Sequence, residues 1–301
     1  MCNQTIQATQ KAIMIIYHAD CADGLTAAVV AARAKETSLK ASKPEFVAAQ
    51  YGDEPPDVTG KDVVIVDFSY PRETLLRMRD KASSLLVFDH HKTAEAELKD
   101  LDFCVFDNTR SGAAITWDLT HDRERPDLVR YVQDRDLWRW ELPFSKEINA
   151  YIACQAQTVG RFQNLLCERL LDDNVIQFGK GALASVASYV ESVAKNARRV
   201  DFAGWPGVLV VNAPAFAISD VLSHLADPPG VPFAVGWWQR ADKLFSYSLR
   251  SNDRGTDVSS VAKRFGGGGH RNAAGFLSGF RLFELPSWSW DDCVVKTVSG
   301  L

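Results

Sequence analysis

The segment Ala12-Ile-Met-Ile-Ile-Tyr-His-Ala-Asp-Cys-Ala-Asp-Gly24 contains the pattern that decides the fold of the first half of the chain. It begins with a continuous apolar run and becomes polar at His18. Short, uninterrupted apolar runs are typical of strands that are buried on both faces, as in a parallel sheet. We therefore expect a buried strand that ends at a group of polar side chains.

Two later apolar runs end in the same way. The run Asp62–Val66 is followed by Asp67. The run Ser84–Phe88 is followed by Asp89-His90-His91. Helical patterns follow the first and second runs, over Leu25–Lys35 and Glu73–Ala82. Strands that alternate with helices in this way predict an α/β fold, with βαβ units around a parallel sheet.

The second half of the chain has a different organisation. One long helical pattern covers Asn174–Arg199. The β-rich segments that follow it are Val208–Val211, Pro232–Trp238 and Leu244–Leu249. The last of them alternates apolar and polar residues, which predicts a half-buried antiparallel strand. We predict two domains, residues 1-195 and 196-301, in which the long helix joins a parallel-sheet domain to a smaller mixed-sheet domain.

Composition and charge narrow the class of protein. The 301 residues include 34 basic and 38 acidic side chains, which gives a net charge of -4. This balance argues against long duplex nucleic acid as a partner. The longest apolar stretches fall far short of the roughly 20 residues that cross a bilayer, so no membrane association is expected. Six scattered cysteines without a CxxC pair favour a reduced, cytoplasmic protein.

The side chains that follow the apolar runs suggest a metal site. A lone aspartate after a strand more often caps the next helix, but three of the six histidines lie at strand ends beside acidic residues. The carboxyl ends of parallel strands meet at one edge of a sheet, so these side chains should lie close together. Imidazole and carboxylate ligands favour Mn²⁺, with Mg²⁺ or Co²⁺ as alternatives.

The carboxylates are more numerous than one ion needs. Asp134-Arg135-Asp136 adds an acidic group after the helical stretch Leu128–Gln133. Two ions about 3.5–4 Å apart, bridged by one carboxylate, would use such a set and promote in-line displacement at phosphorus by an activated water. Asp67 is the expected bridge, because it stands alone after a strand that should lie between the other two.

A glycine-rich segment in the second half suggests a phosphate-binding loop. Phe265 is followed by four glycines, Gly266–Gly269, and then by His270-Arg271-Asn272. Glycines let backbone N–H groups approach a phosphate, and the histidine and arginine add charge and donors. Between Arg240 and Arg271, seven Lys and Arg residues face three Asp residues. A solvated basic surface is the alternative interpretation.

These motifs resemble those of the DHH phosphoesterase superfamily. Asp89-His90-His91, with Asp67 and His18…Asp23-Gly24 upstream, is similar to the motifs of its catalytic domain. Gly266–Gly275 is similar to the glycine-rich motif of its DHHA1 domain. The resemblance spans about residues 12 to 280. It implies a bilobal α/β fold, a dinuclear metal site in the first lobe, a substrate-binding second lobe, and hydrolysis of phosphodiester or phosphoanhydride bonds.

The resemblance also implies roles for individual positions. The expected metal ligands are His18, Asp20, Asp23, Asp67, His90 and Asp134, with Asp136 as an alternative to Asp134. His91 is expected to contact the scissile phosphate and to help to protonate the leaving group, while Asp89 orients its neighbours. The expected substrate-binding residues are Arg250, Gly267, Gly268, Gly269, His270 and Arg271. Ser111-Gly112 matches a further family motif, to which no role is assigned.

One departure from the family pattern affects the first metal site. The family usually has His-x-Asp-x-Asp-Gly, whereas this chain has one extra residue between His18 and Asp23-Gly24. Aligned on Asp23-Gly24, Cys21 takes the position of the first aspartate and Asp20 is displaced by one residue. We expect Asp20 to reach the metal through a bulged loop, with a Cys21 thiolate as the alternative and a small, inert buried cysteine as a third possibility.

The leading functional hypothesis is a two-metal phosphodiesterase that acts on short oligonucleotides or small nucleotides. A pyrophosphatase or short-chain polyphosphatase is the second, and a catalytically silent nucleotide-binding protein is the third. A homodimer is left open. Base stacking would favour nucleotides, and the candidate stacking residues are Trp237, Trp238, Phe245 and Tyr247.

Overall fold

The computed structural model describes residues 12–34 and 43–282. The chain divides into two compact units, Met1–Leu183 and Ala184–Leu301. The division falls inside one helix, Asp173–Ala194, whereas the sequence pattern placed the boundary at the end of that helix.

The first unit contains a five-stranded sheet in which every neighbouring pair is parallel. Its strands are β1 (Ile13–His18), β2 (Glu45–Ala49), β3 (Asp62–Val66), β4 (Ser84–Asp89) and β5 (Cys104–Phe106). Their order across the sheet is β2-β1-β3-β4-β5. The three apolar runs thus form adjacent central strands, and the prediction of a parallel sheet is confirmed.

Helices cover the sheet on both faces, which explains why its strands are apolar on both sides. The helices of this unit are α1 (Ala22–Ala31), α2 (Arg72–Lys81), α3 (Lys92–Leu98), α4 (Gly112–Thr120), α5 (Asp127–Asp136), α6 (Ser145–Ala153), α7 (Val159–Leu165) and the shared helix α8 (Asp173–Ala194). Ile15 packs into the core that contains α1, α4 and α5, whereas Met14 and Ile16 pack into the core that contains α2. Consecutive residues of a strand point to opposite faces, so β1 needs apolar residues throughout.

The strand order creates a switch point between β1 and β3. The chain runs from β1 outward to β2, and then returns to form β3 on the other side of β1. In open parallel sheets, ligand sites form beyond the carboxyl ends of the strands at such a point. His18 is the last residue of β1 and Asp67 directly follows β3, so the fold brings both to this position.

The second unit contains a mixed six-stranded sheet, and this prediction is also confirmed. Its elements are β6 (Arg198–Phe202), β7 (Trp205–Asn212), α9 (Ile218–Ala226), β8 (Ala234–Gln239), β9 (Phe245–Arg250), α10 (Val258–Lys263), β10 (Gly268–His270) and β11 (Ala273–Ser278). The strand order is β10-β11-β9-β8-β7-β6. Only β7 and β8 pair in parallel among these strands, and β9 is antiparallel to both of its neighbours, as its alternating pattern predicted.

The long helix α8 is shorter than its sequence pattern suggested. It ends at Ala194, and Arg198–Phe202 forms β6 instead of a further helical turn. Gly179 lies inside the helix and does not interrupt it. A Cβ at this position would lie 2.0 Å from the backbone oxygen of Glu147 in α6. The absence of a side chain thus allows α8 to pack closely on α6.

The helices found within residues 12–34 and 43–282 include none that combines the length and the hydropathy required to cross a membrane.

Candidate metal centre

Three strand ends contribute side chains to one cluster in the first unit. The Nε2 atom of His90 lies 3.1 Å from Oδ1 of Asp67. The Nδ1 atom of His18 lies 3.6 Å from Oδ2 of the same carboxylate. Asp67 therefore lies between the two imidazoles, as the strand order β1-β3-β4 requires.

The backbone at Asp67 is held in an unusual conformation. Its φ is +56°, in the left-handed region that residues other than glycine seldom adopt. Its N–H still donates to the carbonyl of Phe88 at 2.8 Å, so the turn begins while sheet pairing continues. Such conformations persist where the surrounding structure fixes them, and they cluster at functional sites.

The Ser111-Gly112 motif explains how α4 reaches this turn. The Ser111 hydroxyl caps the helix by accepting a hydrogen bond from the N–H of Ala114. A Cβ on Gly112 would lie 2.5 Å from Cβ of Asp67. Only glycine therefore allows the first turn of α4 to pack against Asp67, which gives this motif the role that the sequence left unassigned.

The Asp23-Gly24 motif places a second carboxylate beside the same helix terminus. Asp23 lies in the first turn of α1, and its Oδ1 accepts a hydrogen bond from the N–H of Ala113 at 3.2 Å. A Cβ on Gly24 would lie 2.2 Å from the carbonyl oxygen of His18, so glycine allows α1 to fold back over the end of β1. Helix N-termini favour nearby negative charge.

Three buried carboxylate oxygens in this cluster lack a hydrogen bond of ordinary geometry within the described residues. They are Oδ2 of Asp23 and both oxygens of Asp67. Each of the two residues is only 1% exposed. A buried, unsatisfied carboxylate is costly, and a divalent cation would satisfy these oxygens. The residues present therefore fit a metal site.

Within the part of the chain that the structure describes, three groups of ligand atoms are compact enough to hold an ion, each with its atoms within 4.8 Å of one another. They are His18 with Cys21 and Asp67, Asp67 with His90 and His91, and Asp23 with His90 and Asp136. The first and third groups share no residue, and the Asp67–His90 contact joins them. This arrangement fits two neighbouring ions.

The buried carboxylates and imidazoles of the cluster shift one another's pKa values in opposite directions. Burial raises the pKa of Asp67, but the attraction of His18 and His90 outweighs burial and lowers it below its usual range. The pKa of Asp23 is raised well above its ordinary value, first by burial and then by the charge of Asp67. The pKa of Asp136 is raised by the same two causes. Without a cation, burial and the charge of Asp67 therefore disfavour ionisation of Asp23 and Asp136.

His91 is held by a buried carboxylate. Its Nδ1 donates to Oδ1 of Asp89 at 2.7 Å, and Asp89 is fully buried. Asp89 also accepts from the N–H of His90 and from the hydroxyl of Ser69. Burial lowers the pKa of His91, but the hydrogen bond from Nδ1 outweighs burial and raises it. The orienting role expected of Asp89 matches this geometry, and Nε2 of His91 is the ring nitrogen left for other contacts with a ligand.

The structure does not bring Asp134 to the cluster, contrary to its assignment as a ligand. Its carboxylate accepts hydrogen bonds from the backbone N–H groups of Glu141 and Leu142 and from the hydroxyl of Ser145. It therefore stabilises the turn that follows α5. Asp136 instead lies 3.5 Å from Nε2 of His90, so the alternative at this position fits the geometry.

The structure also does not bring Asp20 to the cluster. Asp20 is exposed, its φ is +54°, and its Oδ2 accepts a hydrogen bond from the side-chain amide of Gln50 at 2.8 Å. The extra residue of the motif is accommodated in this left-handed turn. Cys21, at the start of α1, lies with His18 and Asp67 instead.

Two aromatic residues contact the cluster, although neither was predicted from the sequence. Tyr51 lies just after β2, and its ring is 5.8 Å from that of His18 and 6.0 Å from that of His91. Phe68 follows Asp67 directly and stacks against His18 at 6.0 Å. Burial, followed by the charges of Asp89 and Asp67, raises the pKa of Tyr51. Phe68 could have been suspected from its position in the sequence, but no pattern marked Tyr51.

The glycine-rich segment of the second unit forms β10 and the turn before it. Gly266 and Gly269 have φ values of +76° and +138°. A Cβ on Gly267 would lie 2.1 Å from the carbonyl oxygen of Gly275, so this glycine allows β10 to lie against β11. The backbone conformation or the packing of β10 thus requires glycine at 266, 267 and 269. Neither requires it at Gly268, where a Cβ would meet open space.

The basic residues near this segment make internal contacts. Arg250 donates to the hydroxyl of Ser219 at 2.8 Å and to the carbonyl of Leu249. Arg271 donates to the carbonyls of Asp253 and Gly255. His270 is exposed at the end of β10. The structure thus gives both arginines a structural role in addition to any role in binding.

The aromatic residues proposed for base stacking in the second unit contact other protein groups. Tyr247 is 1% exposed and stacks on Phe276 at 4.8 Å. Trp237 contacts Phe245 at 5.9 Å and lies against the guanidinium of Arg281. These contacts favour a role in the core for Tyr247 and leave little of the Trp237 ring for a base.

At the level of sequence, the chain is similar to a viral protein. No family model matches the sequence. An uncharacterized protein of Acanthamoeba polyphaga mimivirus is 32% identical over 250 residues, which cover 78% of this chain and 58% of that protein. The chain thus spans less than two thirds of the length of this relative.

Two solved structures resemble the chain over most of its length. One is the DHH domain of a member of the S1p family of ribosomal proteins, with a TM-score of 0.54, 16% identity, and coverage of 88% of this chain and 82% of that chain. The other is an exopolyphosphatase-related protein from Bacteroides fragilis, with a TM-score of 0.51, 12% identity, and coverage of 97% and 91%. The chain therefore has the DHH fold, and the resemblance seen in its motifs is confirmed at the level of the fold.

Proposed function

We propose that the protein is a metal-dependent phosphoesterase that hydrolyses short oligonucleotides or small nucleotides. The observation that carries this proposal is the pair of buried carboxylates, Asp23 and Asp67, at the switch point of the sheet. Three of their oxygens lie near imidazoles without a hydrogen bond of ordinary geometry within the described residues. Buried carboxylates that serve only the fold usually accept well-formed hydrogen bonds.

The proposed ligands of two divalent ions are His18, Asp23, Asp67, His90 and Asp136. Asp67 is the proposed bridge, because one of its oxygens lies 3.6 Å from Nδ1 of His18 and the other lies 3.1 Å from Nε2 of His90. When bound, the ions would lower the pKa of a water molecule and offset the charge of the phosphoryl group. The imidazole ligands favour Mn²⁺ over Mg²⁺.

His91 is the proposed proton donor to the leaving group. Asp89 holds its Nδ1 at 2.7 Å and favours the protonated ring, so Nε2 can carry a proton. This is the arrangement in which a histidine acts as a general acid. Asp89 would act only through His91, by fixing the orientation of the ring.

An exposed tryptophan, Trp138, favours a nucleotide over an inorganic polyphosphate. Trp138 is 65% exposed and lies two residues after Asp136, so their Cα atoms are at most about 7.6 Å apart. Trp138 and Trp140 have φ values of +55° and +57°, and their rings are 5.1 Å apart. The side chain of Arg139 fixes the segment by donating to the carbonyl of Thr109. An exposed ring held beside a phosphate site is suited to stack on a base.

We expect Trp138→Ala to lower kcat/KM for a dinucleotide by about 5- to 150-fold, which corresponds to the roughly 1–3 kcal/mol of one base–aromatic stack. Hydrolysis of pyrophosphate should not change, because it has no base. Trp138→Phe should restore most of the loss. Leu119→Ala, at an exposed apolar position near the end of α4, is the matched control. Equal losses on both substrates would contradict a stacking role.

The glycine-rich segment is proposed to bind a second phosphate of the substrate. Gly268 and His270 carry this part of the proposal, since neither the packing of β10 nor its backbone conformation explains Gly268. Arg250 and Arg271 are proposed to support the segment, in keeping with their hydrogen bonds to neighbouring groups.

The function is tested by incubating the purified protein with Mn²⁺ and, separately, with a dinucleotide, 3′-phosphoadenosine 5′-phosphate, a cyclic dinucleotide and pyrophosphate. We expect Mn²⁺-dependent release of nucleoside monophosphate from at least one nucleotide substrate. Preferential hydrolysis of pyrophosphate would favour the polyphosphatase alternative. Binding of nucleotides without turnover at any metal concentration would favour the silent binding protein.

A further inference from the structure

We propose that Cys21 supplies a thiolate ligand, so that the two ions of the cluster occupy chemically different sites. One site would consist of His18, Cys21 and Asp67 and the other of Asp23, His90 and Asp136, with Asp67 as the proposed bridge between them. The inference rests on the proposed metal centre, but it does not depend on the reaction that the centre catalyses.

The position of the sulfur is the first argument. The Sγ atom of Cys21 lies within 4.8 Å of both a nitrogen of His18 and an oxygen of Asp67. The carboxylate that could have taken its place is directed elsewhere, because Asp20 is exposed and accepts a hydrogen bond from Gln50. The chain therefore offers sulfur where oxygen would otherwise complete the site.

The second argument is independent of the cysteine. Both oxygens of Asp67 are buried and accept no hydrogen bond of ordinary geometry from the described residues. A cation at this point would satisfy both oxygens whether or not Cys21 takes part. A thiolate carries the same charge as a carboxylate, so the exchange of oxygen for sulfur preserves the charge balance of the site.

The consequence is a difference in metal preference. Thiolate ligands select Zn²⁺, Co²⁺ and Fe²⁺, whereas Mg²⁺ binds almost only to oxygen. The site of Asp23, His90 and Asp136 has two carboxylates and one imidazole, which suit Mn²⁺ or Mg²⁺. The two sites should therefore fill with different metals from a mixture, with the borderline ion beside Cys21.

Titration of the metal-free chain, residues 1–301, with Co²⁺ tests this inference without any measurement of activity. A thiolate bound to Co²⁺ gives an intense near-ultraviolet charge-transfer absorption that oxygen and nitrogen ligands do not give. We expect this absorption to grow with one equivalent of Co²⁺ only, although two equivalents bind. Cys21→Ser should abolish it, and Cys154→Ser, at an exposed cysteine, should leave it unchanged.

A second variant separates ligation from folding. Cys21→Asp should keep two metal sites, lose the absorption completely, and bind Mg²⁺ more tightly than the natural chain does. Two bound Co²⁺ ions without the absorption in the natural chain would overturn the role of Cys21 and leave the proposed centre intact. Failure to bind any Co²⁺ would overturn the centre itself and the inference with it.

Discussion

Replacement of Asp67 by asparagine is expected to abolish turnover while the protein remains folded. Residues that only orient a metal ligand cost about 10- to 100-fold in activity or affinity when they are removed. Asp67 is the proposed shared ligand of both ions, so its loss should exceed about 100-fold. Steady-state assays at saturating Mn²⁺, together with metal analysis of the purified variant, measure the effect.

The control for Asp67→Asn is Asp62→Asn, at the other end of β3. Asp62 begins β3, and its carboxylate accepts a hydrogen bond from the hydroxyl of Ser84 at 2.7 Å, at the opposite end of the strand from the cluster. Asp62→Asn should leave turnover and metal content unchanged. If Asp67→Asn kept more than a few per cent of the natural rate at saturating metal, the bridging role would be wrong.

Replacement of His91 by alanine is expected to lower turnover of a dinucleotide by about 10²- to 10⁴-fold, the usual contribution of general acid catalysis. Both metal ions should remain bound, because His91 is assigned to the substrate and not to the centre. The loss should be much smaller for bis-p-nitrophenyl phosphate, since p-nitrophenolate leaves without needing a proton. Rates on the two substrates and the metal content of the variant are the measurements.

The geometry of His91 makes the outcome informative in either direction. His91 also belongs to a group of three possible ligands with Asp67 and His90. Loss of one equivalent of metal in His91→Ala would therefore make His91 a ligand. Equal losses on both substrates, with metal retained, would place His91 in substrate binding instead of proton transfer.

The general location of the candidate site was predictable from the sequence. Three buried strands were marked by continuous apolar runs, and parallel strands deliver their carboxyl ends to one edge. Those two facts together bring His18, Asp67 and His90 into one cluster. This prediction needed no information about contacts between distant residues, because each strand is marked by its own run of consecutive residues.

The finer assignments depended on contacts that no local pattern reveals. Asp134 and Asp136 are two residues apart on α5, and at 3.6 residues per turn they point in nearly opposite directions. Asp134 is held by the hydroxyl of Ser145 and by two backbone N–H groups, whereas Asp136 lies beside His90. Nothing in Asp-Arg-Asp distinguishes the two positions before the fold is known.

The difference between Asp20 and Cys21 has a similar origin. The extra residue in the motif could have bulged at several positions, and the structure accommodates it by a left-handed backbone at Asp20. Aspartate adopts this conformation more readily than most residues. The hydrogen-bond partner of Asp20, Gln50, lies thirty residues away, directly after β2, and no local pattern in the sequence pairs the two residues.

The unsatisfied oxygens of Asp23 and Asp67 have a consequence for folding. Any ion that binds the native chain but not the unfolded one adds to the free energy of unfolding, by about 2.7 kcal/mol when the free metal is at 100 times its Kd. In the metal-free chain, the same carboxylates repel one another in a buried space. The proposed metal binding would therefore couple the stability of the folded chain to the supply of metal, and the chain would be least stable in a chelating buffer.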